Sequence, residues 1–178
     1  FLNYSNNSNQ FIYKKSKYSL SVNSCTAALH LSLISLGLKK GDEVITTPMT
    51  FCSTINSILL VGAKPVLVDI NPDTLNIDEN MISKKINSKT KALMIVHFAG
   101  LACNMAPIMK ICKKYNLRLI EDCAHAIESK YFNKEVGNFG DAGCFSFYAT
   151  KNITTGEGGM LLTNKTKIYN RVRTMRLH

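Results

Sequence analysis

The sequence predicts an α/β domain: a mostly parallel sheet with helices on both faces. Three observations carry that reading. Short apolar runs of strand length alternate with segments of helical period along the chain. The run Ala92 to His97 is apolar at nearly every position, as strands covered on both faces are. Glu121 and Asp122 end a further apolar run, where open α/β sheets place their ligands. With 178 residues and 46% apolar composition, the chain can bury one substantial core.

An Asn- and Ser-rich opening, Asn3 to Gln10, reads as a frayed terminus. Tyr18 to Val22 follows as a strand. Thr26 to Leu36 is an apolar helix, with Ser24 as its N-cap and Gly37 as its stop. Glu43 to Thr46 is a strand, Phe51 to Val61 a helix ended by Gly62, and Pro65 to Asp69 a strand. Asp78 opens a helix through Ile86. The strand Ala92 to His97 precedes a helix of period 3.6 at Met105 to Tyr115 and the strand Leu117 to Asp122. Tyr131 to Val136 reads as a small hairpin, Gly143 to Phe147 and Gly159 to Thr163 as strands, and Lys165 to Met175 as a last helix.

Lys and Arg number 22 against 12 Asp and Glu, a formal charge of +10. That favours anionic small molecules. The lysines are scattered, without the basic and aromatic stripe of nucleic-acid binders, so a nucleic acid is not an expected partner; no apolar segment is long enough to span a bilayer, so neither is a membrane. Six cysteines lie in or beside apolar runs with no CxxC pair, which predicts buried free thiols and a reducing, cytoplasmic setting. The chain opens on Phe1 and stops at His178 directly after a helix, from which truncation at both ends is expected.

Three segments carry chemistry. Ser24-Cys25-Thr26-Ala27-Ala28 joins a strand to a helix, where converging N–H groups suit an anion and equally suit a simple cap. Glu121-Asp122-Cys123-Ala124-His125 places at a strand end a carboxylate that needs a cationic partner if buried. A protonated pyridine nitrogen is one such partner; a side-chain ion pair is another. His125 has no second His or Cys at metal spacing, so no metal site is expected. In Cys144-Phe145-Ser146-Phe147-Tyr148-Ala149-Thr150-Lys151-Asn152, a lysine ends an aromatic strand and enters the turn Thr154 to Gly159. Partial desolvation there favours the neutral amine that imine chemistry requires, with Ser146 within reach as a phosphate ligand. Gly156, Gly158 and Gly159 precede a strand rather than follow one, against a dinucleotide fingerprint.

The ordered blocks SCTAALHL, GDEVITTPMTF, GAKPVLVDINPDTLNID, VHFAGLACNM, EDCAHA, CFSFYATKN and GEGG resemble the DegT/DnrJ family of pyridoxal-phosphate nucleotide-sugar aminotransferases. The resemblance implies the large domain of the fold type I architecture, truncated, over residues 17–178, after a partial N-terminal segment 1–16 and without the C-terminal small domain. It implies pyridoxal 5'-phosphate (PLP) as cofactor, with Lys151 holding it as a Schiff base and Asp122 pairing with the ring nitrogen. Thr26 and Ala27, by hydroxyl and backbone N–H, and Ser146 are implied phosphate ligands, with Phe51 stacked on the ring and His125 near its hydroxyl. Cys25 stands where many members have Gly. The implied reaction moves an amino group from glutamate or glutamine to a keto-sugar nucleotide, in cell-surface polysaccharide or lipid sugar synthesis by a homodimer. The motif variants lean toward UDP-linked, aminoarabinose-type substrates. A sugar dehydratase of the same family, or a non-catalytic truncated remnant, stays open as an alternative.

Overall fold

The computed structural model describes residues 15–176. In chain order the elements are β1 (Tyr18–Val22), α1 (Cys25–Leu36), β2 (Glu43–Thr46), α2 (Cys52–Leu60), β3 (Lys64–Leu67), α3 (Glu79–Lys85), β4 (Thr90–Val96), α4 (Met105–Tyr115) and β5 (Arg118–Asp122). They continue with the hairpin β6 (Lys130–Tyr131) and β7 (Lys134–Glu135), then β8 (Ala142–Ser146), β9 (Gly159–Thr163) and α5 (Thr166–Met175). The Asn-rich opening lies outside the described residues.

Seven strands form one sheet in the order β1-β9-β8-β5-β4-β2-β3. The five from β8 to β3 run parallel, and β9 is antiparallel to both of its neighbours. Alternation along each strand feeds two cores. Val44, Met94, Ile120, Cys144 and Leu161 face α1, α2 and α5. Ile45, Leu93, Ile95 and Leu119 face the opposite layer with Ile82 of α3 and Ile108 of α4. This is the doubly covered sheet that the apolar runs predict.

Helix α1 is apolar on almost every side because it lies between the sheet and α2 and α5. Its Leu29 and Leu33 are fully buried, and each burial stabilises by about 1.5–3 kcal/mol. The helix starts where the Ser24 side chain accepts the Ala27 N–H at 3.1 Å. It stops where Gly37, at φ 83, returns its N–H to Ile34 and Leu33. A short 3-10 turn at Phe98–Gly100, with Ala99 at φ 49, follows β4 and has no counterpart in the predicted elements.

Candidate active site

The carboxyl ends of the parallel strands carry the chemistry-bearing side chains, as the position of Asp122 predicts. Asp122 closes β5 and is 4% exposed. Its Oδ2 accepts the Thr54 hydroxyl at 2.8 Å and its Oδ1 the Ala124 N–H at 3.1 Å. The Cys25 thiol lies 3.9 Å from Oδ1. No described residue makes an ion pair with it. Burial pushes the carboxyl above the ordinary carboxylate range; the Thr54 hydroxyl, the Ala124 N–H, His125 and His97 pull the other way.

In the loop after this carboxylate, Ala124 and His125 line a cavity of about 500 Å³ that brings them together with Lys151, Ser146 and the turn at Phe98–Gly100; Asp122 itself is not among the lining residues. Lys151 is half-buried, and its N–H is fixed by the Tyr148 carbonyl at 2.9 Å. His125 sits at the cavity mouth, 6.3 Å from the Phe98 ring, edge to face. The protein on its inner side lowers its imidazole below the usual value, the Lys151 ammonium adds to this, and Asp122 opposes it. The Ser146 hydroxyl accepts the Tyr148 N–H at 3.3 Å.

Thr26, Ala27 and Phe51 stand apart from that cavity. Thr26 bonds the Ser53 hydroxyl at 2.7 Å, joining the first turns of α1 and α2. The Ala27 N–H is taken by the Ser24 cap, so the first-turn donors of α1 not committed to the helix are the N–H groups of Cys25 and Thr26. Phe51 is 73% exposed at the start of α2. The turn at Ser24 lies so close to β9 that only Gly fits at 159, because a Cβ there would meet the Ser24 carbonyl and stand 2.6 Å from Cys25 N.

Glu121 and Asp122 are neighbours with opposite fates, since successive strand residues face opposite sides. Glu121 is fully buried on the far face, with Oε1 accepting the N–H groups of Phe139 at 2.8 Å and Gly140 at 2.7 Å. Its Oε2 accepts Gly137 N–H at 2.7 Å and lies 3.2 Å from His97 Nε2. The Cys103 N–H donates to His97 Nδ1 at 3.1 Å, which assigns the ring proton to Nε2. His97, Glu121 and Cys123 are the one convergent group of metal-type ligands among the described residues. With both His97 nitrogens and both Glu121 oxygens engaged, the group is a structural clasp for the loop 137–140.

The thiols need one correction. All six cysteines are free; four are buried, Cys25 is partly buried with its thiol on the inner side against Asp122, and Cys52 is exposed. Cys52 opens α2 on its solvent side, while Thr54 two residues on faces inward, and its apolar neighbours gave no sign of that.

A sheet of this order, with a buried carboxylate ending β5 and a lysine in the turn after β8, defines the large domain of a fold type I aminotransferase. Residues 9–178 match the DegT/DnrJ/EryC1/StrS aminotransferase family, and the chain belongs to it. It is 47% identical over 162 residues to the spore coat polysaccharide biosynthesis protein SpsC of Bacillus subtilis, covering 91% of this chain and 42% of SpsC. It is 46% identical over 155 residues to the GDP-perosamine synthase of Escherichia coli O157:H7, covering 87% of this chain and 43% of the synthase. The crystal structure of NtdA from Bacillus subtilis, with bound cofactor PMP, superposes with a TM-score of 0.85 at 33% identity, over 90% of this chain and 36% of NtdA. The chain thus spans less than half the length of each of these relatives.

Proposed function

We propose that this chain is the cofactor-binding part of a PLP-dependent aminotransferase that moves an amino group from glutamate or glutamine to a keto-sugar on a nucleoside diphosphate. One observation carries the reading: Asp122 is buried at the sheet's ligand end and, among the described residues, no cationic side chain makes an ion pair with it. A carboxylate so placed demands a cation, and a protonated pyridine nitrogen meets that demand while the carboxylate keeps it protonated. The residues present fit the group. Lys151 would hold it covalently, Asp122 would pair with its nitrogen, and Thr26, Ser146 and the first-turn N–H groups of α1 would receive its phosphate. His125 and Phe51 would flank the ring.

When bound, PLP supplies an electron sink for the substrate carbon that loses its proton. Lys151 Nζ, opening on the cavity, is the group that takes and returns that proton. Asp122 holds the opposing charge, clamped by Thr54 and Ala124. The SpsC likeness supports a role in polysaccharide synthesis. The GDP in the name of the Escherichia coli relative widens the UDP expectation to nucleoside diphosphate sugars generally. Exposed Phe51, Leu59 and Leu60 of the α2 segment and Leu67 of the edge strand β3 support a homodimer.

The test adds PLP to the purified chain, follows the visible absorption band, and maps the borohydride-reduced adduct by mass spectrometry. The expected adduct is on Lys151 and is lost in Lys151→Ala. A stable adduct elsewhere, or no band, refutes the assignment.

A further inference from the structure

Asp122 does not hold its place alone. Thr54, in the first turn of α2, is fully buried and gives its one hydroxyl proton to Asp122 Oδ2 at 2.8 Å. Thr50 Oγ1 stands 2.6 Å from Thr54 Oγ1. With Thr54's proton committed to the carboxylate, Thr50 is the donor of that second bond. The result is a directed hydroxyl chain, Thr50 to Thr54 to Asp122, in which each bond polarises the next.

We propose that Thr54, oriented by Thr50, is the positioning residue that clamps Asp122 Oδ2 and so aims the carboxylate at the ring nitrogen of the cofactor. The proposal rests on Asp122 being the cofactor's partner. Geometry supports it from three sides: Thr54 from α2 and Ala124 N–H from the loop after β5 grip different oxygens, and Cys25 of α1 closes the third side. A valine in place of Thr54 keeps the shape and removes only the donor.

The clamp also bears on charge. The titratable groups around Asp122 are His97 after β4, His125 in the following loop, Cys25 of α1 and Cys144 of β8, with Lys151 acting on Cys25 and His125. The thiols of Cys25 and Cys144 are pushed far up by burial, with Asp122 adding to it, and so bring no charge of their own. Against the burial of the carboxylate, the Thr54 hydroxyl is the largest opposing influence. Removing it should leave Asp122 binding a proton about tenfold more tightly, since a hydrogen bond to a charged group is worth roughly one pKa unit or more.

The experiment measures the Asp122 carboxyl titration by carbon-13 NMR in the whole chain without added cofactor, with Asp122→Asn to assign the signal, and then PLP affinity by absorbance. Thr54→Val should raise the titration midpoint and weaken PLP binding about tenfold. Thr54→Ser should restore both, and Thr50→Val should move both in the same direction by less. Because Thr54→Ser keeps the hydroxyl donor and Thr50 is only part-buried, these two variants serve where Thr54→Val folds poorly. If the valine variants leave the midpoint and the PLP affinity within twofold of the parent while Asp122→Asn weakens PLP, the positioning role of Thr54 is overturned. If Asp122→Asn itself binds PLP like the parent, the pairing of Asp122 with the cofactor fails instead, and the proposal falls with it.

Discussion

Glu121→Gln is isosteric, and the clasp around Glu121 lets its effect be worked out bond by bond. An amide oxygen can replace Oε1 and still accept from Phe139 and Gly140. The amide nitrogen then occupies the Oε2 position, where it faces the Gly137 N–H at 2.7 Å and the His97 Nε2–H at 3.2 Å, donor against donor. Turning the amide over only exchanges which pair is lost. Moving the His97 proton to Nδ1 relieves one conflict and creates another, because the Cys103 N–H points at that nitrogen. Two buried donors are thus stranded at about 1–3 kcal/mol each, or about 2–6 kcal/mol in all. Against the roughly 5–15 kcal/mol typical of a folded domain, that is a large loss. Urea denaturation of the parent and variant chains at pH 7 measures it, and the thermal midpoint should fall by roughly 5–20 °C. A difference below about 1 kcal/mol would show that Glu121 does not hold the loop 137–140.

Two further predictions concern Asp122 and Gly159. Because burial raises the Asp122 carboxyl in the folded chain, the native state holds this proton more tightly than the unfolded one. Without a cationic ligand, stability should therefore fall as pH rises from the ordinary carboxylate range through the raised value; Asp122→Asn should remove that slope and melt higher than the parent at neutral pH. PLP should stabilise the parent and not the variant, and an unchanged slope in thermal melts from pH 3 to 8 would contradict the account. Gly159→Ala drives a Cβ into the backbone of Ser24 and Cys25, at a cost of about 1–3 kcal/mol, and should weaken PLP binding by displacing the first turn of α1. Denaturation and PLP titration measure both effects, and parent-like values of each would show that the turn can yield.

Much of the fold was legible because local chemistry and tertiary packing agree. The Ser24 cap and the Gly37 stop follow from side-chain acceptors and left-handed backbone, and the helix at Met105–Tyr115 and the strands at Tyr18–Val22, Glu43–Thr46 and Gly159–Thr163 occur as predicted. Other boundaries moved by a residue or two. The expected strand Ala92 to His97 is observed as Thr90–Val96, since His97 turns inward to meet Glu121. At the site, the cavity gathers Lys151, His125 and Ser146, while Asp122 ends its strand two residues before the lining residue Ala124. The roles of Thr54 and His97 were invisible: each acts on a residue distant in sequence, and an isolated Thr or His carries no period or spacing. Strand alternation was the one available signal that Glu121 and Asp122 part company. The Ala27 N–H, expected at the phosphate, donates here to the Ser24 cap, the same residue that identifies the helix start.

The placing of β9 between β8 and β1 has a consequence for synthesis. Among the described residues, β1 pairs with no other strand than β9, and Ser16 reaches the Thr163 carbonyl across 147 residues of chain. On the ribosome, β1 therefore emerges well before β9 and waits for this partner until β9 has left the exit tunnel. Gly159, at the head of β9, is also the residue against which the start of α1 is seated. The N-terminal end of α1 is consequently seated only once β9 has been made, after the parallel strands that the helix overlies.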